Sequence, residues 1–190
     1  MLEMLPPDGH GQTLGHFALV SYIPNPLARF LDRLRSDLTP GCNPRAHITA
    51  LPPRPLFHDV KETVCQIAED SRGIPPFWIE LGGVQVFEAS HVIYIEPARG
   101  AREIRELYHA LNAGPLQYEE CFPYHPHITV AQDLPPEDSR RLVSIARERW
   151  AQYEGPRGFL LSSLSFVQNV APDIWADVAA IPLAMPVPVG

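Results

Sequence analysis

His47-Ile48-Thr49-Ala50 and His127-Ile128-Thr129-Val130 are two copies of one pattern, 80 residues apart: a histidine, an apolar residue, a threonine and a second apolar residue. With 8 His and 5 Thr among 190 residues, chance alone would give roughly 0.2 His-x-Thr triplets in the whole chain. Two copies with matching apolar neighbours therefore need a structural or chemical explanation.

Each copy has the pattern of a β-strand with one polar and one apolar face. Side chains two residues apart on a strand point to the same side, so the histidine and the threonine share one face and the two apolar residues share the other. We predict that the polar faces border a cleft and the apolar faces border a core. If two such strands lie side by side about an approximate twofold axis, the two imidazoles and the two hydroxyls converge on one small volume.

The segments around the two copies repeat as well. Residues 16–23 and residues 91–95 each predict a buried strand, and a helix connects each strand to the His-x-Thr strand that follows. The interval from strand start to motif is 31 residues in the first half and 36 in the second. A further helix and a further strand come after each motif. This order predicts an α+β (α/β) fold of two pseudo-symmetric lobes, each a small mixed or antiparallel sheet with outer helices, and a cleft between the lobes.

Local signals predict where the elements begin and end. We expect Asn25 to cap the first helix, with Pro26 in its first turn. Pro52-Pro53-Arg54-Pro55 predicts a stiff turn directly after the first motif. Residues 77–87 predict either one strand kinked at Gly82-Gly83 or two strands. The spacing of apolar residues predicts four helices, within residues 27–38, 60–68, 104–111 and 136–150. It also predicts two strands late in the chain, near residues 159–167 and 174–181.

Length and composition favour one soluble domain, because 45% of the residues are apolar and can form a buried interior. We expect residues 1–15 to be a flexible tail, residues 16–183 a single bilobal domain, and residues 184–190 a second tail. The longest apolar runs have the length of strands, and the N-terminal residues lack the pattern of a signal peptide. A cytoplasmic location, no membrane span and a monomeric state are therefore expected.

Charge and cysteine content narrow the expected partners. The net charge is −7 and Lys61 is the single lysine, whereas proteins that hold many phosphates of a long duplex carry a basic stripe. We therefore expect the partner to be a nucleotide or an RNA end, with no long duplex nucleic acid. Three widely spaced cysteines argue against a disulfide framework or a thiolate zinc site.

His47, Thr49, His127 and Thr129, with Pro126 directly before the second histidine, carry a resemblance to a known family. The chain resembles the 2H phosphoesterase superfamily, whose signature is a pair of His-x-Thr motifs with apolar neighbours, and within it the bacterial 2'-5' RNA ligase-like proteins. The resemblance covers nearly the whole chain, because the motif spacing and the order of elements also fit. It implies a bilobal fold and an enzyme that joins or cuts 2'-5' linkages or opens 2',3'-cyclic phosphates.

The chemistry of such a reaction assigns roles to the four motif residues. One group must take a proton from the nucleophile, and another must give a proton to the leaving oxygen on the far side of phosphorus. Imidazoles suit both tasks near neutral pH, so His47 and His127 are the predicted catalytic pair. Thr49 and Thr129 are predicted to bind the substrate phosphate by donating to its non-bridging oxygens, which stabilises negative charge without a metal. No metal ion or other cofactor is expected.

Residues near the motifs are further candidates for substrate contact. Arg45 and His125 occupy equivalent places two residues before each motif histidine, and either could touch a phosphate from the rim of the cleft. Tyr124 could stack on a base, as aromatic side chains do in RNA sites. Phe122 is a weaker candidate of the same kind, because we expect it to pack in the core.

These patterns predict a metal-independent phosphodiesterase that acts on 2',3'-cyclic phosphate ends of RNA or nucleotides. Three alternatives stay open: a 2'-5' RNA ligase that runs the reverse reaction, a non-catalytic module that binds a nucleotide or an RNA end, and a zinc hydrolase. The last would use His125 and His127, which have the spacing of two metal ligands on one strand. It leaves the duplication unexplained, because the first copy has Arg45 where the second has His125.

Overall fold

The computed structural model describes residues 15–172 and 174–183, which form eight strands and four α-helices. In chain order these are β1 His16–Tyr22, α1 Leu27–Leu38, β2 His47–Pro55, α2 Val60–Asp70, β3 Phe77–Val86, β4 Ile93–Arg99, α3 Ala101–Leu111, β5 Ile128–Ala131, α4 Pro136–Ala151, β6 Gly158–Leu161, β7 Ser163–Ala171 and β8 Ile174–Pro182. The two tails predicted at residues 1–15 and 184–190 lie outside the described residues, except for Gly15.

The strands form two four-stranded sheets, in the orders β2-β1-β7-β8 and β5-β4-β3-β6, and every neighbouring pair is antiparallel. We name the first sheet lobe A and the second lobe B. Each His-x-Thr strand lies at an edge of its sheet, beside the strand that opens its half of the chain. The prediction of an α+β fold with two similar lobes is therefore confirmed.

The third strand of each sheet comes from the other half of the chain. Strand β3 follows the first motif and its helix, yet it pairs with β4 in lobe B. Strand β7 follows the second motif and its helix, yet it pairs with β1 in lobe A. The first half of the chain thus contributes β3 to lobe B, and the second half contributes β7 and β8 to lobe A, so neither lobe is built from one continuous half.

The helices join the lobes into one unit. Helix α1, which connects β1 to β2 in lobe A, lies against β5 of lobe B, and α3 of lobe B lies against β2 of lobe A. One continuous core of buried apolar side chains extends through both lobes. Among the described residues, no helix is long and apolar enough to cross a membrane.

Four local predictions need correction or refinement. Residues 52–55 do not form a turn but continue β2, where Arg54 and Pro55 pair with Phe17 and His16 after shifts in the register of β1 and β2. The prolines are tolerated because β2 is an edge strand. Pro26, and not Asn25, is the N-cap residue of α1. The ambiguous segment is one strand, β3, with an irregularity at Gly82-Gly83. The single strand expected near residues 159–167 is two, because β6 pairs in lobe B and β7 in lobe A.

Candidate active site

The two His-x-Thr copies point their polar and apolar side chains as strand geometry requires. Ile48 is fully buried and Ile128 has an exposed fraction of 1%, and the residues that follow each threonine are buried as well. The histidines and threonines on the opposite faces are only partly buried. The apolar residues thus anchor both strands in the core, and the polar residues remain accessible from the other side.

The fold brings the two copies together. Strands β2 and β5 are in contact although they belong to different sheets. The Tyr124 hydroxyl, from the segment before the second copy, donates to the Thr49 carbonyl oxygen at 2.6 Å. Thr49 and His127 line the same cavity of about 760 Å³, and a charge on His47 lowers the pKa of His127. His47 and Thr129 belong to the same two strands but do not line that cavity.

Both histidines are oriented by the same hydrogen bond. In each copy the ring Nδ1 lies 2.7 Å from the carbonyl oxygen two residues earlier, that of Arg45 for His47 and that of His125 for His127. A carbonyl oxygen can only accept, so Nδ1 carries the proton in both rings. The other ring nitrogen, Nε2, is therefore the one that can accept a proton in the neutral ring and donate one in the charged ring.

Burial and nearby charges favour the neutral form of both rings. Burial lowers the pKa of His47, and the charges of Arg35 and Arg45 lower it further. The hydrogen bond to the Arg45 carbonyl raises this pKa but does not outweigh the other effects. Burial likewise lowers the pKa of His127, and the charges of His125 and His47 lower it further. The hydrogen bond to the His125 carbonyl raises this pKa but is the weaker effect. Both rings thus stay neutral to a lower pH than a free histidine does.

In lobe A the residue that orients His47 is held by a polar clamp. The Arg45 guanidinium pairs with the Asp177 carboxylate at 2.5 Å and lies 3.3 Å above the centre of the Tyr22 ring. The Tyr22 hydroxyl donates to the other Asp177 oxygen at 2.5 Å. Although burial raises the pKa of the Asp177 carboxyl, the bonds from Tyr22 and Arg45 outweigh it and hold that pKa below its ordinary value. The Arg45 side chain, 59% exposed, therefore lies at the protein surface, paired with a carboxylate.

In lobe B the corresponding residue is held by aromatic rings. Phe87 and Tyr94 stack on each other at 4.0 Å between centroids. The His125 ring meets both edge-on, with centroid distances of 5.3 and 5.4 Å. The His127 ring also meets both edge-on, at 5.2 and 5.5 Å. These edge-to-face contacts favour one orientation of each ring. Lobe B thus holds its pair of histidines in an aromatic box.

Comparison with known proteins agrees with this geometry. The family model of the 2'-5' RNA ligase superfamily matches residues 23–172. The chain belongs to this superfamily. The protein OB1230 of Oceanobacillus iheyensis, provisionally named a phosphoesterase, is 32% identical over 78 residues, which are 40% of this chain and 44% of that protein. The aligned region thus spans less than half of that relative.

Solved structures of E. coli LigT have the same fold. LigT complexed with NADP+ matches with a TM-score of 0.63 and 16% identity over 90% of this chain and 99% of LigT. LigT complexed with 3'-AMP matches with a TM-score of 0.61 and 15% identity over 90% of this chain and 98% of LigT. At this level of identity the likeness shows the fold alone.

The two aromatic residues considered for stacking on a base, Tyr124 and Phe122, lie in different surroundings. Tyr124 is stacked on Tyr108 at 4.1 Å between centroids, and burial raises its pKa. Its hydroxyl bond to Thr49 makes it a bridge between the two motifs. Phe122 is 73% exposed and lines the cavity, so the expectation that it packs in the core is wrong.

The wall of the cavity is anchored by a buried arginine. Arg54, at the end of β2, is 2% exposed and pairs with Glu120 at 2.5 Å. It also donates to the Asn112 side chain at 2.7 Å and to the Leu116 carbonyl at 2.8 Å. Glu120 is one of the residues that line the cavity, and no lysine or arginine of the described chain is among them. The part of the cavity beside Glu120 is therefore suited to an uncharged part of a ligand.

A third ligand for the zinc alternative is missing in the part of the chain that the structure describes. There, no three His, Cys, Asp or Glu side chains form a cluster that could hold a metal ion. His127 uses Nδ1 for the His125 carbonyl, and the buried Nε2 of His125 has no hydrogen-bond partner among the described residues. His125 and His127 therefore form a pair within the aromatic box, without the further ligand that a metal site would need among residues 15–172 and 174–183.

Sequence reasoning missed the residues that support the motifs. Tyr22 lies opposite His47 in the register of β1 and β2, and Tyr94 lies opposite Thr129 in that of β4 and β5. Both could have been found by aligning the predicted strands in antiparallel pairs. Asp177 and Phe87 carry no such signal, because neither belongs to a motif strand or to its partner in the repeat.

Proposed function

We propose that this chain is a metal-independent phosphodiesterase that opens 2',3'-cyclic phosphate ends of RNA or nucleotides. One motif histidine, neutral, takes a proton from the attacking water through Nε2. The other, protonated, gives its proton to the ribose oxygen as the bond between that oxygen and phosphorus breaks. The product is a 2'- or 3'-phosphomonoester, and solvent returns both rings to their starting states.

The observation that carries the proposal is the matched pair of Nδ1–carbonyl bonds. The same bond in both lobes leaves two Nε2 atoms free for proton transfer, which is what in-line displacement requires on the two sides of phosphorus. Thr49 and Thr129, on the same strand faces, supply hydroxyl donors for the non-bridging oxygens. Each hydroxyl stabilises charge that increases in the transition state.

The cavity and the charge of the chain favour a small substrate over a long RNA. A volume of about 760 Å³ is in the range of small-molecule sites, roughly 300–1,000 Å³. The solved complexes of LigT with 3'-AMP and NADP+ support a ligand of nucleotide size in this fold. A net charge of −7 makes extensive contact with a phosphate backbone unfavourable, so we favour hydrolysis over ligation.

The test uses nucleoside 2',3'-cyclic phosphates and a short RNA with a cyclic phosphate end, each with and without a strong chelator. We expect turnover to a phosphomonoester that survives chelation, with the product isomer identified by phosphorus NMR. His47→Ala and His127→Ala variants, checked for folding by circular dichroism, serve as controls. Binding without turnover would favour the non-catalytic module, and loss in chelator restored by zinc would favour a metal hydrolase.

A second arm separates hydrolysis from ligation. The RNA with the cyclic phosphate end is offered together with a second RNA that carries a 5'-hydroxyl, and the products are separated by length. We expect cleavage of the cyclic phosphate to exceed joining at all RNA concentrations tested. RNA binding should fall only gently with salt, because the salt dependence scales with the number of phosphates neutralised. Predominant joining, or a steep salt dependence, would favour the ligase.

A further inference from the structure

We propose that Asp32 is a positioning residue for His47 and that it acts through the peptide unit between Arg45 and Ala46. The carbonyl oxygen of this unit accepts the hydrogen bond from His47 Nδ1 at 2.7 Å. The N–H of the same unit donates to Asp32 Oδ1 at 2.6 Å. A carboxylate, a peptide and an imidazole are thus joined in series, and Asp32 reaches the ring without touching it.

A carboxylate in this position changes the peptide in a defined way. Accepting from the N–H of Ala46 polarises the amide and places more negative charge on the carbonyl oxygen of Arg45, because linked hydrogen bonds strengthen one another. A stronger acceptor holds the His47 ring in one orientation and favours its protonated form. Catalytic triads obtain the same effect from a carboxylate that binds the histidine directly.

The peptide is held in place from more than one side. Asp32 lies on α1, and the next carbonyl along the chain, that of Ala46, accepts from the N–H of Ile23 at 3.0 Å. The Arg45 side chain is held by the clamp of Tyr22 and Asp177. The orienting peptide is therefore a fixed part of lobe A, and Asp32 supplies the charge that acts along it.

Lobe B cannot contain the same relay. The carbonyl that orients His127 belongs to the peptide between His125 and Pro126, and proline has no N–H to donate to a carboxylate. His127 therefore has the hydrogen bond that orients its ring, but no carboxylate can polarise the peptide that accepts this bond. The two motifs differ at this atom, which makes His127 an internal control for any effect of Asp32 on His47.

The charges around His47 set the sign of the expected effect. Arg35 and Arg45 lower the pKa of His47, and Asp177 pairs with Arg45. His47 in turn acts on His127 in the other lobe, and the Tyr22 hydroxyl, beside the ring, stays protonated because its pKa is raised to about 12. Removing the negative charge of Asp32 leaves the two arginine charges less opposed, so the pKa of His47 should fall further.

The test compares Asp32→Asn with Asp37→Asn in the full chain. Asparagine keeps an oxygen that can accept from Ala46, so the variant removes the charge and leaves the bond. Asp37 is a control on the same helix, where its exposed carboxylate pairs with Arg149. The pKa values of His47 and His127 are measured by NMR of the ring nitrogens, with His47→Gln and His127→Gln to assign the signals.

In Asp32→Asn we expect the pKa of His47 to fall by roughly half a unit or more, and that of His127 to change much less. The pKa measurement needs no turnover, so it tests the relay independently of the proposed function. Only the kinetic measurement rests on the proposed function. With a cyclic nucleotide substrate, kcat should fall about tenfold with KM unchanged. This is the lower end of what metal-bound histidines lose when the hydrogen-bond partner of their other ring nitrogen is removed. An unchanged His47 pKa, or an equal shift at His127, would overturn the proposal.

Discussion

Lobes A and B hold their histidines with the same backbone bond and with different side chains. In lobe A the orienting residue is Arg45, tied to Asp177 and Tyr22 by charge and hydrogen bonds. In lobe B it is His125, which packs against Phe87 and Tyr94. The comparison shows that the shared feature is the strand with its carbonyl two residues before the histidine, and that the surroundings of this feature can be polar or apolar.

The two lobes thus use two different interactions to hold the motif histidines in place. An exposed ion pair is screened by salt, whereas an aromatic box depends on packing and is insensitive to salt. Even if the two histidines contribute equally to the reaction, high salt should weaken the ion pair of lobe A and leave the aromatic box of lobe B unchanged. Variants in corresponding positions of the two lobes can therefore show whether the halves are equivalent.

The largest expected effect is the loss of either histidine. His47→Ala and His127→Ala should each lower kcat by roughly 10² to 10⁴, the contribution of a positioned acid or base. Because the two act in one step, the double variant should lose less than the product of the single losses. The measurement is steady-state turnover of a nucleoside 2',3'-cyclic phosphate. A folded His47→Ala variant with near-normal turnover would mean that lobe B works alone.

The threonines should have smaller effects of similar size in both lobes. Thr49→Val and Thr129→Val keep the strand shape and each remove one hydrogen bond to a charged oxygen, worth about 1.5–3 kcal/mol. In kcat/KM this corresponds to a loss of roughly 10- to 150-fold. Circular dichroism of both variants serves as the folding control. A loss confined to one variant would show that a single lobe binds the phosphate.

The lowered histidine pKa values predict how stability depends on pH. In the unfolded chain both rings have a pKa of about 6.5, and in the folded chain both values are lower. As the pH falls below about 6.5, the unfolded state binds protons first, so the free energy of unfolding should decrease until the folded pKa values are passed. Urea titrations across this range measure the slope. His47→Gln and His127→Gln should each flatten it, and a double variant with the original slope would contradict the assignment.

The smallest expected effects come from the two supports. Asp177→Asn should lower kcat by less than about fivefold, because an exposed ion pair contributes about 0.2–1 kcal/mol. Phe87→Leu should cost a similar amount through lost ring contacts, about 0.5–1.5 kcal/mol. Turnover at low and at high salt distinguishes them, since only the Asp177 effect should fade as salt rises. Equal salt dependence would show that the clamp does not act through charge.

Much of the site could be predicted because it depends on local periodicity. The alternation of polar and apolar residues in each motif is a property of a few neighbouring residues, and a strand has no other way to bury Ile48 and Ile128. The helices followed from apolar spacing for the same reason. Prolines misled the prediction at residues 52–55, because their tolerance depends on whether the strand lies at a sheet edge, which no local pattern records.

The amino-acid sequence thus contains the duplication, the two polar strand faces with the predicted catalytic residues, and the expectation of two lobes. Tertiary structure alone brings Asp177 to Arg45 across 132 positions of the chain and Tyr22 to Asp177 across 155. It also places β3 in lobe B and β7 and β8 in lobe A. It brings the Asp32 carboxylate within hydrogen-bond distance of the Ala46 N–H. The reason is physical: periodicity specifies which side of an element is buried, whereas strand pairing and helix packing over long separations decide which elements meet.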